Sequence, residues 1–172
     1  MALQWAIISG AKRVIAIDIN QARLQTALKL GADNIINAVG KDPYEAVYEL
    51  TKGKGVDIAV EAAGTVETSA QVLALPEKGG KVVYLGIPYN DVNINRFRFE
   101  RIVRNELSIF GTWNAISGPF PGKEWKTCVH FLEKKILKTT PLIDREIPLA
   151  KGPEAFEDAV NGKVTGKVIF CP

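Results

Sequence analysis

The sequence is poor in the residues that build disulfide and metal sites. Its 172 residues include two cysteines and one histidine. Cys128 and Cys171 form neither a disulfide framework nor a Cys-x-x-Cys metal pair, and so few cysteines favour a reducing cytoplasm. His130 lies two residues from Cys128, so the two side chains would point to different faces of a helix. We therefore predict no metal site within this chain.

Long apolar runs and a strong charge of one sign are also absent. No run approaches the roughly 18 apolar residues that a transmembrane helix needs, so we expect no membrane partner. The formal net charge of +3 is too small to indicate nucleic acid. Glu100 and Glu106 dilute the arginines between Arg96 and Arg104, which favours a solvated helix face. The sequence has no P-loop, Ser/His/Asp set or carboxylate pair, so we assign no catalytic residue.

Short apolar runs alternate with helix-length segments through most of the chain. Strands are predicted at 13–18, 34–37, 57–62, 81–87 and 107–113, and the run 57–62 is apolar enough to predict burial on both faces. Their alternation with helices indicates a mostly parallel α/β sheet with right-handed crossovers. Residues 76–80 are rich in Pro and Gly and predict a turn. Two later runs, 143–149 and 167–170, fall outside this rhythm and are expected to return to a different sheet.

The run 13–18 is apolar and ends on the carboxylate of Asp18. Its continuous apolar residues predict a parallel strand that is buried on both faces. Helical patterns end at Gly10 and begin at Asn20, and this order is typical of the second half of a dinucleotide-binding βαβ unit. In that unit the acid binds the ribose hydroxyls and disfavours a 2′-phosphate, so Asp18 favours NAD over NADP. Alternatively, Asp18 merely begins the following helix.

Weaker candidates lie on the helix after Asp18 and near the ends of other predicted strands. Arg23 is placed to reach the ribose or a phosphate, although a solvated surface arginine is equally consistent. Ala62 and Ala63 leave room for a flat adenine, and Gly86 lets the backbone approach a ligand. Tight packing between helix and strand is the alternative for all three. Trp113 fits the core or an interface as well as it fits a substrate wall.

The expected strand order exposes a gap in the fold. A doubly wound dinucleotide fold has the order 3-2-1-4-5-6. If 13–18 is strand 2 and 57–62 is strand 4, the central first strand and its glycine-rich turn are not in the sequence. Two open edges would result. We expect a fragment of a longer protein; alternatively, strands 2 and 4 pair directly. The predicted fold class is α/β, a doubly wound Rossmann-type parallel sheet lacking its first strand.

Several segments together resemble the cofactor-binding half of the zinc-containing medium-chain alcohol and polyol dehydrogenases. The resemblance covers essentially the whole chain and rests on residues 2–6, 10–18, 30–33, 53–57, 79–83, 155–157 and 166–169. Within the family, residues 111–114 and 120–125 look most like the galactitol-1-phosphate 5-dehydrogenase branch, which is related to sorbitol dehydrogenase.

The resemblance implies a parent enzyme that oxidises a secondary alcohol of a sugar alcohol or its phosphate, with galactitol 1-phosphate favoured. A zinc ion polarises the substrate oxygen while hydride passes to NAD. Residues matching family positions are Asp18 and Arg23 at the ribose, Leu85, Gly86, Ile87, Thr112 and Trp113 on the nicotinamide side, and Asn114 near the substrate. The zinc ligands belong to an N-terminal portion outside this chain, so the 172 residues alone should be inactive.

The resemblance also implies a division of the chain and a mode of assembly. We predict an NAD-binding domain at 1–138, and a segment at 139–172 whose strands belong to an absent catalytic domain. A homo-oligomer would form through the strand from Leu107 to Trp113. A zinc-free quinone or enal reductase of the same superfamily is a second reading, but Asp18 argues against its usual NADP. The third is a nucleotide-binding or interaction module without chemistry.

Overall fold

The structure is a computed structural model that describes residues 1–113 and 118–172, and in them helices alternate with strands. The helices are α1 (Ala2–Ile8), α2 (Gln21–Lys29), α3 (Tyr44–Leu50), α4 (Val66–Gln71), α5 (Arg96–Arg104), α6 (Lys123–Glu133) and α7 (Gly152–Val160). The strands are β1 (Ile15–Asp18), β2 (Asn34–Asn37), β3 (Val56–Glu61), β4 (Pro76–Tyr84), β5 (Ser108–Gly111), β6 (Ile143–Pro148) and β7 (Lys167–Cys171). Short 3-10 turns follow α4 and flank β6.

Every strand pair in the described residues is parallel. The sheets have the orders β1–β2, β3–β4–β5 and β6–β7. The runs 13–18 and 57–62 lie in different sheets, so the alternative in which these two strands pair directly is wrong. The chain divides into two compact units, one formed by Met1–Val39 with Ser117–Pro172 and the other by Gly40–Ile116. The predicted boundary at 138/139 separates an NAD-binding domain from a segment of the catalytic domain, and it stays a prediction.

In the first unit, local hydrogen bonds explain why β1 is followed by a helix. Asn20 caps α2, because its Oδ1 accepts from the backbone N–H groups of Ala22 and Arg23 at 2.9 and 3.1 Å. Helix α2 packs against β1 and β2. The residues of β1 are only half-buried, so the prediction of burial on both faces is wrong. Among the described residues, α2 is the helix that packs most closely on this two-stranded sheet.

Helix α1 is attached to the segment after α6 by a buried amide. Gln4 is 4% exposed, and its Nε2 donates to the Lys138 carbonyl at 2.9 Å. Its Oε1 accepts from the Lys138 N–H at 2.7 Å. Trp5 also meets Phe131 edge to face, with ring centroids 5.4 Å apart. These contacts hold the predicted N-terminal helix in place.

In the second unit, the 3-10 turn after α4 packs against β3 and β4, and α4 itself is joined to β4 by a hydrogen bond from Tyr84 to Ser69. Ala59 of β3 and Val82 of β4 are buried, whereas Ile58 and Val60 are about half exposed. The apolar run 57–62 predicts burial on both faces, and for this strand that prediction is wrong. The side chains alternate between a covered and an open face, as in any strand with one packed side.

Residues 76–80 turn back on themselves, as predicted, although they lie within the bounds of β4: a Cβ on Gly80 would lie 2.8 Å from Pro76 Cβ, and the pairing with β3 shifts register here. Asn105, just after α5, holds this turn: its Nδ2 donates to the Pro76 carbonyl at 3.0 Å, and its carbonyl accepts from Gly79 N–H at 2.7 Å. Gly79 has φ +76°, a conformation that favours glycine. The Pro-Gly chemistry therefore produces a turn inside β4, and the long-range contact with Asn105 stabilises that turn.

Helices α3 and α5 pack through an arginine surrounded by aromatic rings. The Arg101 guanidinium lies 5.0 Å from the Phe97 centroid and 5.4 and 5.6 Å from those of Tyr44 and Tyr48. Its Nη2 also donates to the Tyr44 hydroxyl. The other arginines of α5 pair with carboxylates, Arg98 with Asp42 and both Arg96 and Arg104 with Glu100. These partners fit a helix face better than a phosphate site.

The C-terminal strands form a βαβ unit of their own. Strand β6, helix α7 and strand β7 follow one another, and the two strands pair in parallel. The two strands thus lie in a separate sheet, as the sequence predicts, yet they keep the βα rhythm. Asp158 of α7 accepts from Arg145 at 2.9 Å and from Lys163 at 3.2 Å. Asp144 accepts from both the N–H and the hydroxyl of Thr165.

These hydrogen bonds make the stability of the β6–α7–β7 segment depend on pH. Hydrogen bonds from Lys163 and Arg145 lower the pKa of Asp158, and those from Thr165 lower the pKa of Asp144. A carboxyl whose pKa is lower in the folded state stabilises the fold above its unfolded pKa, near 4, and loses that contribution as the pH falls through the folded value. We expect the urea midpoint to fall between pH 5 and pH 2, and Asp158→Asn to reduce that fall. A pH-independent difference between wild type and Asp158→Asn would contradict this.

Candidate functional site

Asp18 lies at the carboxyl end of β1 with one carboxylate oxygen engaged and one open. Its Oδ1 accepts from the Asn20 N–H at 2.8 Å, which is the local role that the simpler interpretation expects. Its Oδ2 lies 4.0 Å from Arg23 Nη1, and the two side chains are 30% and 53% exposed. A pair this long and exposed contributes little energy. Oδ2 is therefore accessible to a hydroxyl donor, and the residue fits a ribose diol.

The remaining described candidates lie together at the carboxyl ends of strands β3, β4 and β5. Glu61, Tyr84 and Gly111 pair across the three strands in register, and the candidates follow directly after them. We call them the strand-end cluster: Ala62, Ala63, Leu85, Gly86, Ile87, Thr112 and Trp113. Hydrogen bonds tie the strand ends together, from Leu85 N–H to the Glu61 carbonyl at 2.8 Å and from Thr112 N–H to the Tyr84 carbonyl at 3.0 Å.

The cluster presents small and apolar side chains to the outside. Ala62 and Ala63 are exposed, and Leu85, Ile87 and Trp113 are between 45% and 62% exposed. Such a surface suits a flat, partly apolar ring. Asn114, predicted near the substrate, lies outside the described residues.

Gly86 is required by packing rather than by an open approach to the backbone. A Cβ on Gly86 would lie 2.5 Å from Gly64 Cα and 2.6 Å from Glu61 Oε2. These distances leave no room for a side chain. The alternative of tight packing thus accounts for this glycine, and ligand contact at Gly86 stays a prediction.

Glu61 is the residue of this region that the sequence indicates least clearly. It is 3% exposed, and its Oε1 accepts from Ala63 N–H and Gly64 N–H, both at 2.9 Å, and from Thr68 Oγ1 at 2.7 Å. The available signal is an acid as the last residue of an apolar strand, followed by two alanines and a glycine. The side chain folds back over these small residues and accepts from the backbone N–H groups of Ala63 and Gly64.

Tyr84, which pairs with Glu61 across the sheet, also stabilises this region. Its hydroxyl donates to the Ser69 carbonyl at 2.7 Å. Burial raises the pKa of Tyr84, and the neighbouring Glu61 raises it further. The phenol therefore stays protonated near neutral pH and acts as a donor that joins β4 to α4.

Strand β5 ends the order β3–β4–β5, and its residues are exposed. Ile109 and Phe110 are 44% and 49% exposed. The predicted oligomer strand therefore has, within the described residues, an open edge opposite β4.

Residues 1–113 and 118–172 contain no group of three or more His, Cys, Asp and Glu side chains that could hold a metal ion. They therefore do not fit a zinc site. No helix within these ranges has the length and apolar character needed to cross a bilayer.

The family assignment follows from the sequence match to a known family. A model of the family described as zinc-binding dehydrogenase matches residues 1–134. The chain belongs to this family. The resemblance drawn from the sequence motifs is thereby confirmed.

Named relatives of this zinc-binding dehydrogenase chain act on different alcohols. It is 34% identical over 173 residues to L-threonine 3-dehydrogenase of Bacillus velezensis, covering 100% of this chain and 48% of the relative. It is 28% identical over 172 residues to galactitol 1-phosphate 5-dehydrogenase of Escherichia coli K12, covering 100% and 50%. The chain spans about half the length of the curated relatives it matches.

A solved structure supports the predicted fold class of the zinc-binding dehydrogenase chain. The crystal structure of galactitol-1-phosphate dehydrogenase from Escherichia coli matches with a TM-score of 0.90 and 28% identity, over 99% of this chain and 49% of that one. The predicted α/β fold of Rossmann type is confirmed.

Proposed function

We propose that the chain is the cofactor-binding half of an NAD-dependent, zinc-dependent dehydrogenase that oxidises a secondary alcohol. The observation that carries the proposal is Asp18, an acid at the carboxyl end of a parallel strand with Oδ2 accessible. NAD would accept hydride, and residues outside this chain would hold the zinc. Asp18, assisted by Arg23, would bind the adenosine ribose.

The strand-end cluster would receive the rest of the cofactor. We assign Ala62 and Ala63 to the space for adenine, and Leu85, Gly86, Ile87, Thr112 and Trp113 to the nicotinamide side. Their common position at the ends of three parallel strands supports this, because ligands of open parallel sheets bind at the carboxyl ends of strands. Asn114 near the substrate belongs to the same proposal.

For the substrate we favour a sugar alcohol or its phosphate, with galactitol 1-phosphate as the first compound to test. The structural match to galactitol-1-phosphate dehydrogenase supports this choice. L-threonine is the second candidate, because the threonine dehydrogenase of Bacillus velezensis is 34% identical. Both carry a secondary hydroxyl, so the same oxidation serves either. We place the protein in the cytoplasm, as a homo-oligomer paired through the open edge of β5.

Cofactor titration tests the role of Asp18. In the protein as its gene encodes it, we expect NAD to bind at least about tenfold more tightly than NADP, because the carboxylate repels a 2′-phosphate. Asp18→Ala should weaken NAD about 10- to 100-fold, the value of one or two charged hydrogen bonds. Isothermal titration calorimetry with both nucleotides measures each affinity.

The control variant removes an exposed acid that lies outside the proposed cofactor site. Asp57 is an exposed carboxylate at the start of β3, so Asp57→Ala should leave both affinities within about twofold. Tighter binding of NADP than NAD by the wild type would overturn the NAD assignment.

A further inference from the structure

Glu61 stands out among the described acids because it is the one fully buried, at 3% exposure. Burial of a carboxylate is costly unless hydrogen bonds compensate for the lost water. Here Oε1 has three donors, whereas Oε2 has none among the described residues. The cost of burying Glu61 at the end of β3 is therefore offset by the three hydrogen bonds that Oε1 accepts.

Helix capping does not explain this acid. Thr65 already caps α4, since its Oγ1 accepts from Thr68 N–H at 3.2 Å. Two of the three donors to Glu61 are instead backbone N–H groups of the turn between β3 and α4, at Ala63 and Gly64. The carboxylate fixes the path of this turn.

This turn also fixes the backbone after β4. The Gly64 site has no spare space: a Cβ there would lie 3.2 Å from both the N and the O of Ile87. On the other side, Gly86 packs against Gly64 Cα and Glu61 Oε2. A shift of Gly64 is therefore passed directly to residues 86 and 87.

We propose that Glu61 is a positioning residue that holds the 86–87 backbone in the geometry required on the nicotinamide side of the cofactor. This rests on the proposed function, which assigns residues 85–87 to that side. Glu61 acts through Gly64 and touches no ligand, because its Oε2 is sealed from solvent. The room for adenine depends on the small side chains of Ala62 and Ala63, which stay small in any Glu61 variant. Release of the Ala63 N–H should therefore affect adenine binding less than the shift of residues 86 and 87 affects nicotinamide binding.

The test compares two nucleotides that differ in the nicotinamide. NADH and ADP-ribose share the adenosine and ribose groups near Asp18, and only NADH has the nicotinamide ring. In the full gene product, Glu61→Ala should weaken NADH about tenfold and ADP-ribose less than about twofold. Glu61→Gln keeps an oxygen for the three donors and should restore NADH to within about threefold. Fluorescence titration gives the NADH affinity, and displacement of NADH gives that of ADP-ribose.

Two further variants separate positioning from a general loss of structure. Thr68→Val removes one donor and keeps the branched shape, so we expect a loss of a few-fold in NADH affinity. Glu67→Ala removes an exposed acid of α4 and should change neither affinity by more than about twofold. Amide hydrogen exchange should be faster at Ala63 and Gly64 in Glu61→Ala alone, with the core of the sheet unchanged.

The outcomes divide cleanly between the two proposals. Equal weakening of NADH and ADP-ribose, or unchanged NADH affinity in Glu61→Ala, would overturn the positioning role and leave the proposed function standing. A wild-type protein that binds neither nucleotide would overturn the proposed function itself. Selective loss of NADH affinity with rescue by glutamine would support both.

Discussion

Replacing Gly86 with alanine is expected to destabilise the protein by about 2–3 kcal/mol, as overpacking of a tight site does. The new Cβ would lie 2.5 Å from Gly64 Cα and 2.6 Å from Glu61 Oε2. One obstacle is backbone and the other is a buried, hydrogen-bonded carboxylate, so neither can move at low cost. Urea denaturation followed by circular dichroism measures the change.

Gly111 provides the matched control for this substitution. It also stands at the end of a strand in the same sheet, but a Cβ there meets nothing within 4 Å, and its φ lies outside the left-handed region. Gly111→Ala should therefore stay within about 0.5 kcal/mol of the wild type. Equal urea midpoints for the two variants would show that the contacts of Gly86 do not limit stability.

The second large effect is expected from Gln4→Glu in the first unit. The carboxylate would place an oxygen where Gln4 Nε2 now donates to the Lys138 carbonyl at 2.9 Å. A hydrogen bond is replaced by repulsion between two acceptors in a site that is 4% exposed. We expect a loss of about 3 kcal/mol at pH 7, the usual cost of an uncompensated buried charge. The urea midpoint reports this loss.

Low pH and an exposed glutamine distinguish this cause from a general effect of the substitution. Once protonated, the carboxyl group introduced by Gln4→Glu again has a donor for the Lys138 carbonyl, so the loss relative to wild type should shrink as the pH is lowered. Gln21 is exposed, and its side chain accepts from Asn37 Nδ2 at 3.0 Å. Gln21→Glu keeps that acceptor and should change stability by less than about 0.5 kcal/mol. A similar loss in both variants would contradict the role of the amide.

Local signals predicted much of the fold because the residues that carry them act over short distances. Asn20 caps α2 as its position before an amphipathic run indicates, and the apolar runs 13–18 and 34–37 pair in parallel. The parallel sheets and the βα order follow from the same patterns. The candidates after β3, β4 and β5 also lie close together, because the carboxyl ends of parallel strands point to the same side of the sheet.

What the sequence could not predict depends on long-range contacts. Asn105 holds the turn at residues 76–80 from nearly thirty positions away, a contact that local turn chemistry does not reveal. The burial of β1 and β3 was overestimated because an apolar run does not reveal how many faces are covered. Glu61 is noticeable in sequence as an acid that ends an apolar run. Its three donors become apparent only when the turn after it is folded.

The aromatic surroundings of Arg101 have a consequence for ionic strength. The exposed pairs of Arg96 and Arg104 with Glu100 weaken as salt screens them over a Debye length of about 10 Å at 0.1 M. A guanidinium in contact with the faces of Phe97, Tyr44 and Tyr48 leaves little room for mobile ions between charge and ring. The packing of α3 on α5 is therefore tolerant of salt, even though the helix that supplies it is rich in charge.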